Sequence, residues 1–210
     1  MRLYIMRHGE TDWNKARRLQ GQADIPLNEV GRSIARQTAA GMKDITLDAV
    51  YSSPLIRAKE TAQIVIGKRE VPLLEDDRLR EMSFGPYEGL CCAADNWEIP
   101  DPEFENFFHA PDRYIPPEGG DAFTDVLKRV SDFTAELSGN ARYSGSNILI
   151  VCHGVVVGSF LSIIKKRTIA GFWDDKVQKN CAVNVVDVLD ADLQLAAEGV
   201  IYYDDKVKDW

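Results

Sequence analysis

Four short runs, Leu3–Met6, Leu47–Tyr51, Ile148–Cys152 and Val183–Val188, are almost wholly apolar. A strand with one wet face alternates apolar and polar residues, whereas a strand of a parallel sheet, covered by helices on both faces, reads as a nearly continuous apolar run. Between these runs the apolar residues repeat at helical spacing. Asn28 is placed to cap a helix that carries Ile34, Thr38 and Met42 on one side. Ser53 as N-cap and Pro54 at the first helical position open a second helix, which ends at Gly67. Phe123, Val126, Leu127, Val130, Phe133 and Leu137 mark a third that stops at Gly139, and a fourth follows Gly154 to about Lys166. Strands alternating with helices of this length predict an α/β fold, a three-layer αβα sandwich around a mostly parallel central sheet.

A chain of 210 residues fits one domain, residues 1–210, with one departure from the alternation. Residues 86–120 read as an inserted segment. Its stretch Pro86–Pro117 is rich in proline and aromatics and holds seven acids (Glu88, Asp95, Glu98, Asp101, Glu103, Glu105, Asp112) against Arg113, a net charge of −6. A long irregular insertion in a compact domain is expected to be a lid or binding loop. Most of Trp97, Phe104, Phe107, Phe108 and Tyr114 are expected to pack a small core of the insertion's own, and His109 is read as a lid residue.

The whole chain carries a net charge of −8. That balance argues against non-specific binding to nucleic acid or anionic membranes, both polyanions, yet leaves room for a small anionic substrate at a local basic site. The uncharged stretch of 17 residues from Ile148 to Ile164 is interrupted by His153, Gly154 and Gly158. It is expected to be a buried strand turning into a core helix rather than a membrane span. Cys91, Cys92, Cys152 and Cys181 show neither C-x-x-C nor zinc spacing and read as reduced, structural cysteines. With no apolar leader at the N-terminus, a cytoplasmic protein is expected, and the surface suits a monomer or a homodimer equally.

In an open parallel sheet, sites form beyond the carboxyl ends of the strands. The first run ends there at Arg7-His8-Gly9, the second at Ser52-Ser53-Pro54 with Arg57 in the first turn of the next helix, and the late run at His153-Gly154. Two arginines and two histidines thus reach one sheet edge, where helix N-termini add N–H donors and partial positive charge. Such an edge suits an anion, phosphate above all, because arginine can clamp its oxygens in pairs. Zinc is the competing use of two histidines, but no Cys, Asp or Glu lies at ligand spacing and the arginines would repel a divalent cation. Neither a metal nor a cofactor is expected. Nearby arginines also disfavour imidazolium, so His8 should be neutral and able to attack phosphorus as a nucleophile. Glu81, partly buried beside bound phosphate, should have a raised pKa suited to protonating the leaving oxygen and then activating water.

The segments LYIMRHGETDWN, RLQGQADIPLNEVG, VYSSPLIRAKETAQIV, LREMSFGPYEG and ILIVCHGVVVGSFL, in this order from residue 2 to about 190, resemble the successive motifs of the histidine phosphatase superfamily, in its phosphoglycerate-mutase-like branch. The resemblance implies that His8 is the phosphorylated nucleophile, that Arg7, Arg57 and His153 bind the phosphoryl group, and that Glu81 is the proton donor. It further implies that Asn14, Gln20 and Gly21 line the same pocket, that the backbone at Gly154 contributes N–H donors, and that no metal is needed. Two departures stand out: Gly120-Asp121-Ala122 replaces a common Gly-Glu-Ser, and Val155 follows His153-Gly154 where a second glycine is common. The short FGPYEG stretch resembles the phosphatase members, and an acidic lid should weaken retention of a bisphosphate. The expected function is hydrolysis of a small phosphomonoester. The alternatives are phosphoglycerate-mutase-type transfer and a non-catalytic phospho-ligand binding protein.

Overall fold

A computed structural model describes residues 1–174, 176–190 and 192–204. Its strands are β1 (Arg2–Arg7), β2 (Ala49–Ser52), β3 (Leu73–Glu75), β4 (Cys92–Ala93), β5 (Asn96–Trp97), β6 (Asn147–Cys152), β7 (Val183–Leu189) and β8 (Asp192–Val200). Six of them form the central sheet, in the order β3-β2-β6-β1-β7-β8, and β4 and β5 pair separately as a hairpin. The pairs β3–β2, β2–β6 and β6–β1 are parallel, while β1–β7 and β7–β8 are antiparallel. The sheet is therefore mostly parallel, as the apolar runs predict. Val183–Val188 departs from that rule by returning antiparallel along β1 before turning into β8. The β8 strand escapes the apolar pattern altogether, because it alternates exposed and half-buried residues along its length.

Helices α1 (Asp12–Lys15), α2 (Glu29–Gly41), α3 (Ile56–Ile66), α4 (Asn106–His109), α5 (Phe123–Gly139) and α6 (Gly154–Ile164) complete the chain, with short 3₁₀ turns between them. Neighbouring residues of β1 serve opposite faces, as the two-residue period of a strand requires. Leu3 and Ile5 join a cluster with Val126, Val130 and Phe133 of α5 and Val156 and Phe160 of α6. Tyr4 and Met6 face the other way, onto Ala58, Ala62 and Val65 of α3 and onto Met42 at the end of α2. This is the three-layer sandwich. The stretch Ile148–Ile164 resolves into β6 and α6, and among the described residues no helix is long and apolar enough to cross a membrane.

The helix boundaries largely follow the capping signals. Asn28 Oδ1 accepts from the Gly31 N–H at 2.8 Å, which starts α2. The second helix begins later than Ser53-Pro54 suggests: α3 starts at Ile56 with Leu55 in the N-cap position. The reason is tertiary. The Ile56 N–H, an orphan donor of the first turn, donates to Asp24 Oδ1 at 2.7 Å, and this leaves the Ser53 hydroxyl for another task.

Residues 86–120 contain the β4–β5 hairpin, α4 and several 3₁₀ turns. Phe104, Phe107 and Tyr114 are buried, with ring contacts to one another and to Phe84, Phe123 and Trp173. They do not form a separate core, since the cluster is continuous with the α5–α6 side of the main one. Part of the charge of the segment is engaged locally. Glu98 pairs with Arg18 at 3.0 Å, Glu88 Oε1 accepts from the Gln22 and Phe84 N–H groups, and Asp101 caps its own turn at Glu103. All four cysteines are free thiols, and Cys91, Cys152 and Cys181 are buried.

The loop after β1 rests directly on α2. A Cβ built on Gly9 would lie 2.8 Å from the Gly31 carbonyl oxygen, and one built on Gly31 would overlap the Glu10 backbone. Both obstacles are main chain and cannot rotate away. Gly31→Ala is expected to destabilise the protein by about 1–3 kcal/mol, whereas Gly139→Ala, with nothing within 4 Å of its Cβ, should be neutral or stabilising. Denaturant melts of the two variants check this.

Candidate active site

β6 lies between β1 and β2, and the parallel ladder runs one residue past each strand. The His8 N–H donates to the Cys152 carbonyl at 2.9 Å and the Ser53 N–H donates to the Val151 carbonyl at 3.0 Å. Arg7-His8, Ser53 and His153 therefore emerge side by side at one edge, with the His8 and His153 ring centroids 5.2 Å apart.

His8 Nδ1 lies 2.7 Å from the Gly9 carbonyl oxygen. A carbonyl can only accept, so Nδ1 holds the proton and a neutral ring keeps its lone pair on Nε2. Burial is the first cause that takes the His8 pKa well below the ordinary histidine value, with Arg57 and Arg7 next. Neutrality is thus as expected, but desolvation outranks the arginines as its origin. His153 is lowered in the same way, by burial first and then by Arg57 and His8. Its Nε2 is 2.7 Å from Ser53 Oγ, which already accepts from the Leu55 N–H. The serine proton is then available to donate to Nε2, which places the His153 proton on Nδ1, a buried atom with no hydrogen-bond partner.

Arg57 is fully buried. Its Nη1 and Nη2 donate to the Ala23 carbonyl at 2.8 Å and the Gly21 carbonyl at 2.7 Å, and none of the ion pairs among the described residues involves it. Arg7 Nη1 donates to the Gln178 carbonyl at 2.6 Å. Burial lowers both guanidinium pKa values to about 10, so both stay charged at neutral pH. Arg57, a buried cation hydrogen-bonded to neutral carbonyls and with its Nε unpartnered, is a strong attractor for an anion.

Glu81 is also buried, and desolvation raises its pKa above the ordinary carboxyl value of 4.5. Its Oε1 accepts from the Met82 N–H at 3.0 Å and its Oε2 from the Val155 N–H at 3.2 Å. The Val155 that replaces a glycine thus serves the site through its backbone. Gly154 separates the acid from a guanidinium: a Cβ there would sit 3.6 Å from Glu81 Oε2 and 3.9 Å from Arg7 Nε.

The remaining sequence-derived residues divide. Gly21, at φ +51°, turns its carbonyl onto Arg57, and any Cβ there would overlap Glu88. Asn14 is buried, with its Oδ1 taken up by Thr11 and Asn180. Gln20 is buried too, but its Oε1 meets no partner; two residues on, Gln22 Nε2 donates to the Glu81 carbonyl at 3.3 Å. Three supporting residues carry no signal in the sequence that points to the site. Thr61 Oγ1 accepts from the Gly9 N–H and donates to the Arg57 carbonyl, tying the two halves of the cradle together. Asn180 Nδ2 donates to the His8 carbonyl at 2.8 Å. Ser53 fixes His153. Its one legible signal, a serine at a strand end before proline, reads as a helix cap. Among the described residues no group of three or more His, Cys, Asp or Glu is placed to hold a metal ion.

Residues 3–199 match the family model described as the histidine phosphatase superfamily (branch 1). The chain belongs to that superfamily. It is 32% identical to the uncharacterized phosphatase PhoE of Bacillus subtilis (strain 168) over 160 residues, covering 76% of this chain and 75% of PhoE. It is equally 32% identical over 210 residues to the probable phosphoglycerate mutase GpmB of Escherichia coli O1:K1 / APEC, covering 96% of this chain and 91% of GpmB. The solved structure of Bacillus stearothermophilus YhfR superposes with a TM-score of 0.89 at 36% identity, covering 96% of this chain and 98% of YhfR. Phosphatases and mutase-like proteins therefore both stand among the relatives, and the shared fold alone does not choose between them.

Ser53→Ala removes the group that sets the His153 tautomer. The expected result is a roughly 10- to 100-fold loss of kcat/KM toward a phosphomonoester, the cost of one buried hydrogen bond of about 1–3 kcal/mol, together with a shift of the His153 ring ¹⁵N resonances toward a tautomer mixture.

Proposed function

We propose that this protein is a phosphomonoesterase that hydrolyses a small phosphorylated metabolite through a phosphohistidine at His8. The observation that carries the reading is the pairing of a buried imidazole, its lone pair on Nε2, with a buried Arg57 whose hydrogen-bond partners are carbonyls. The phosphoryl group sits between Arg7, Arg57 and His153, which take its oxygens by N–H donation, with Asn14 and the N–H groups at the start of α6 beside them. His8 Nε2 attacks phosphorus while the bond from phosphorus to the ester oxygen breaks. Glu81 gives its proton to that oxygen, and the alcohol departs. A water then attacks the phosphohistidine, Glu81 takes the water's proton, the N–P bond breaks, and inorganic phosphate and the starting imidazole are restored. The arginines offset the phosphoryl charge throughout, and no step calls for a metal.

The pKa directions set the pH dependence. Attack needs neutral His8, so activity rises as pH climbs through its lowered pKa, below the usual histidine range near 6.5. Departure needs protonated Glu81, so activity falls as pH climbs through its raised pKa, above 4.5. In kcat/KM, which reports the steps up to formation of the phosphohistidine, Glu81→Gln is expected to abolish the alkaline limb and to slow an alkyl phosphate by about 10²–10⁴, with a much smaller loss for p-nitrophenyl phosphate, whose leaving group needs no proton. Equal losses on the two esters would remove Glu81 from the donor role. Rapid quench should trap acid-labile phosphate on wild type and none on His8→Ala. In a mixture of 3-phosphoglycerate and bisphosphoglycerate, phosphate release should exceed isomerisation; the reverse order would make the chain a mutase. Full turnover by His8→Ala would end the enzymatic reading.

A further inference from the structure

The sheet ladder places His8, Ser53 and His153, but it does not extend to Glu81. Residues 80–83 lie in no helix or strand, so sheet register does not fix the acid that must meet the leaving oxygen. The loop is held instead from the start of α5. At one end, Arg129 Nη1 donates to the Arg78 carbonyl at 2.6 Å. At the other, the Ser83 N–H donates to Asp121 Oδ2 and the Asp121 N–H donates to the Ser83 carbonyl, both at 2.9 Å. Arg129 Nη2 is buried without a hydrogen-bond partner and stands 4.0 Å from Asp121 Oδ2. Asp121 is the shortened acid of the Gly120-Asp121-Ala122 stretch, just before α5 begins at Phe123. One short piece of chain thus grips both ends of the Glu81 loop, with a cation at one end and an anion at the other.

Leu79 and Met82, which flank the acid, are fully buried in the main core. Their burial holds the loop down, but apolar packing has no direction. The hydrogen bonds of Arg129 and Asp121 supply direction at the loop's ends, as Gln22 does at the Glu81 carbonyl. A shift of about 1 Å in a positioned group can cost on the order of 10²-fold in rate. Arg129 also acts on the carboxyl through its charge. The ionisable groups around Glu81 are Arg57 of α3, Arg7 of β1, the Cys152 thiol of β6 and Arg129 of α5, while α6 presents the Val155 N–H. Arg57 and Arg7 are given to the phosphoryl group in the reading above. Arg129 is not.

We infer that Arg129 and Asp121 are positioning residues, which hold Glu81 in line with the leaving oxygen by fixing the two ends of its loop. The inference rests on the phosphomonoesterase reading, in which Glu81 is the proton donor, and names the residues through which that donor is placed. Both act through Glu81 rather than on the substrate. The departure at residue 121 has a place in this arrangement: the aspartate reaches the Ser83 N–H from a backbone that is itself bonded to Ser83.

Two esters read the donor. The ratio of kcat/KM for the best alkyl phosphate of a panel to that for p-nitrophenyl phosphate reports proton donation, because only the alkyl leaving group needs the proton. Arg129→Met and Asp121→Ala should each lower this ratio about tenfold, the order of one lost charge-assisted hydrogen bond. Asp121→Asn, whose side-chain oxygen still accepts from Ser83, should restore most of it. The ratio is taken within one preparation, so partial misfolding cancels. In a Glu81→Gln background Arg129→Met and Asp121→Ala should leave it unchanged. The pH profile is the second readout. Arg129 lowers the Glu81 pKa against the effect of burial, whereas the cations that lower His8 are Arg57 and Arg7. Arg129→Met should therefore move the alkaline limb of kcat/KM to higher pH and leave the acid limb in place. A merely loosened site would slow both esters alike and admit water, which weakens desolvation and moves the alkaline limb down. Either of those results, or a ratio that still falls in the Glu81→Gln background, overturns the inference while hydrolysis of the esters leaves the phosphomonoesterase reading standing. If no ester of the panel is turned over and no acid-labile phosphate forms on His8, that reading fails and this inference falls with it.

Discussion

The site depends on a ladder of main-chain hydrogen bonds that does not stop where the strands do. Because β6 is the shared neighbour of β1 and β2, one further rung on each side fixes the backbones of His8 and Ser53 against Cys152 and Val151. Backbone register is a far stiffer ruler than any side-chain contact. With it in place, His153 needs only to turn off β6 into α6 to stand beside His8. The supporting contacts of Thr61, Asn180 and Ser53 then reach already placed main-chain and ring atoms.

Burial does the electrostatic work on this frame. The same desolvation that keeps the two histidines uncharged keeps a proton on Glu81 to higher pH. An imidazole and a carboxyl group that would exchange their roles in water are thereby held as lone-pair donor and acid. The cradle is thus chemically poised by being dry, and the arginines supply attraction rather than the main pKa control.

Much of this was legible in the sequence because the responsible residues act where they stand. β1 and β6 are buried on both faces, so composition alone marks them, and the fold brings the residues after them together. What escaped had its cause elsewhere in the fold. Ser53 looks like a cap because its partner is 100 residues away at His153. Asn180 and Thr61 are single polar residues whose roles come from the His8 and Gly9 main chain. Summed charge is visible in residues 86–117, but its direction is not, since Glu98 turns to Arg18 and Glu88 to backbone N–H groups. β8 was missed because a half-exposed strand obeys a different pattern from a covered one.

The carbonyl partners of Arg57 have one more consequence. Had Gly21 and Ala23 been carboxylates, an arriving phosphate would have to break an ion pair and expel a counterion, and its affinity would follow their titration. Carbonyl groups cannot ionise and do not compete for the guanidinium's charge. The guanidinium is held in place by uncharged partners, so an anion arriving at Arg57 breaks no direct ion pair there.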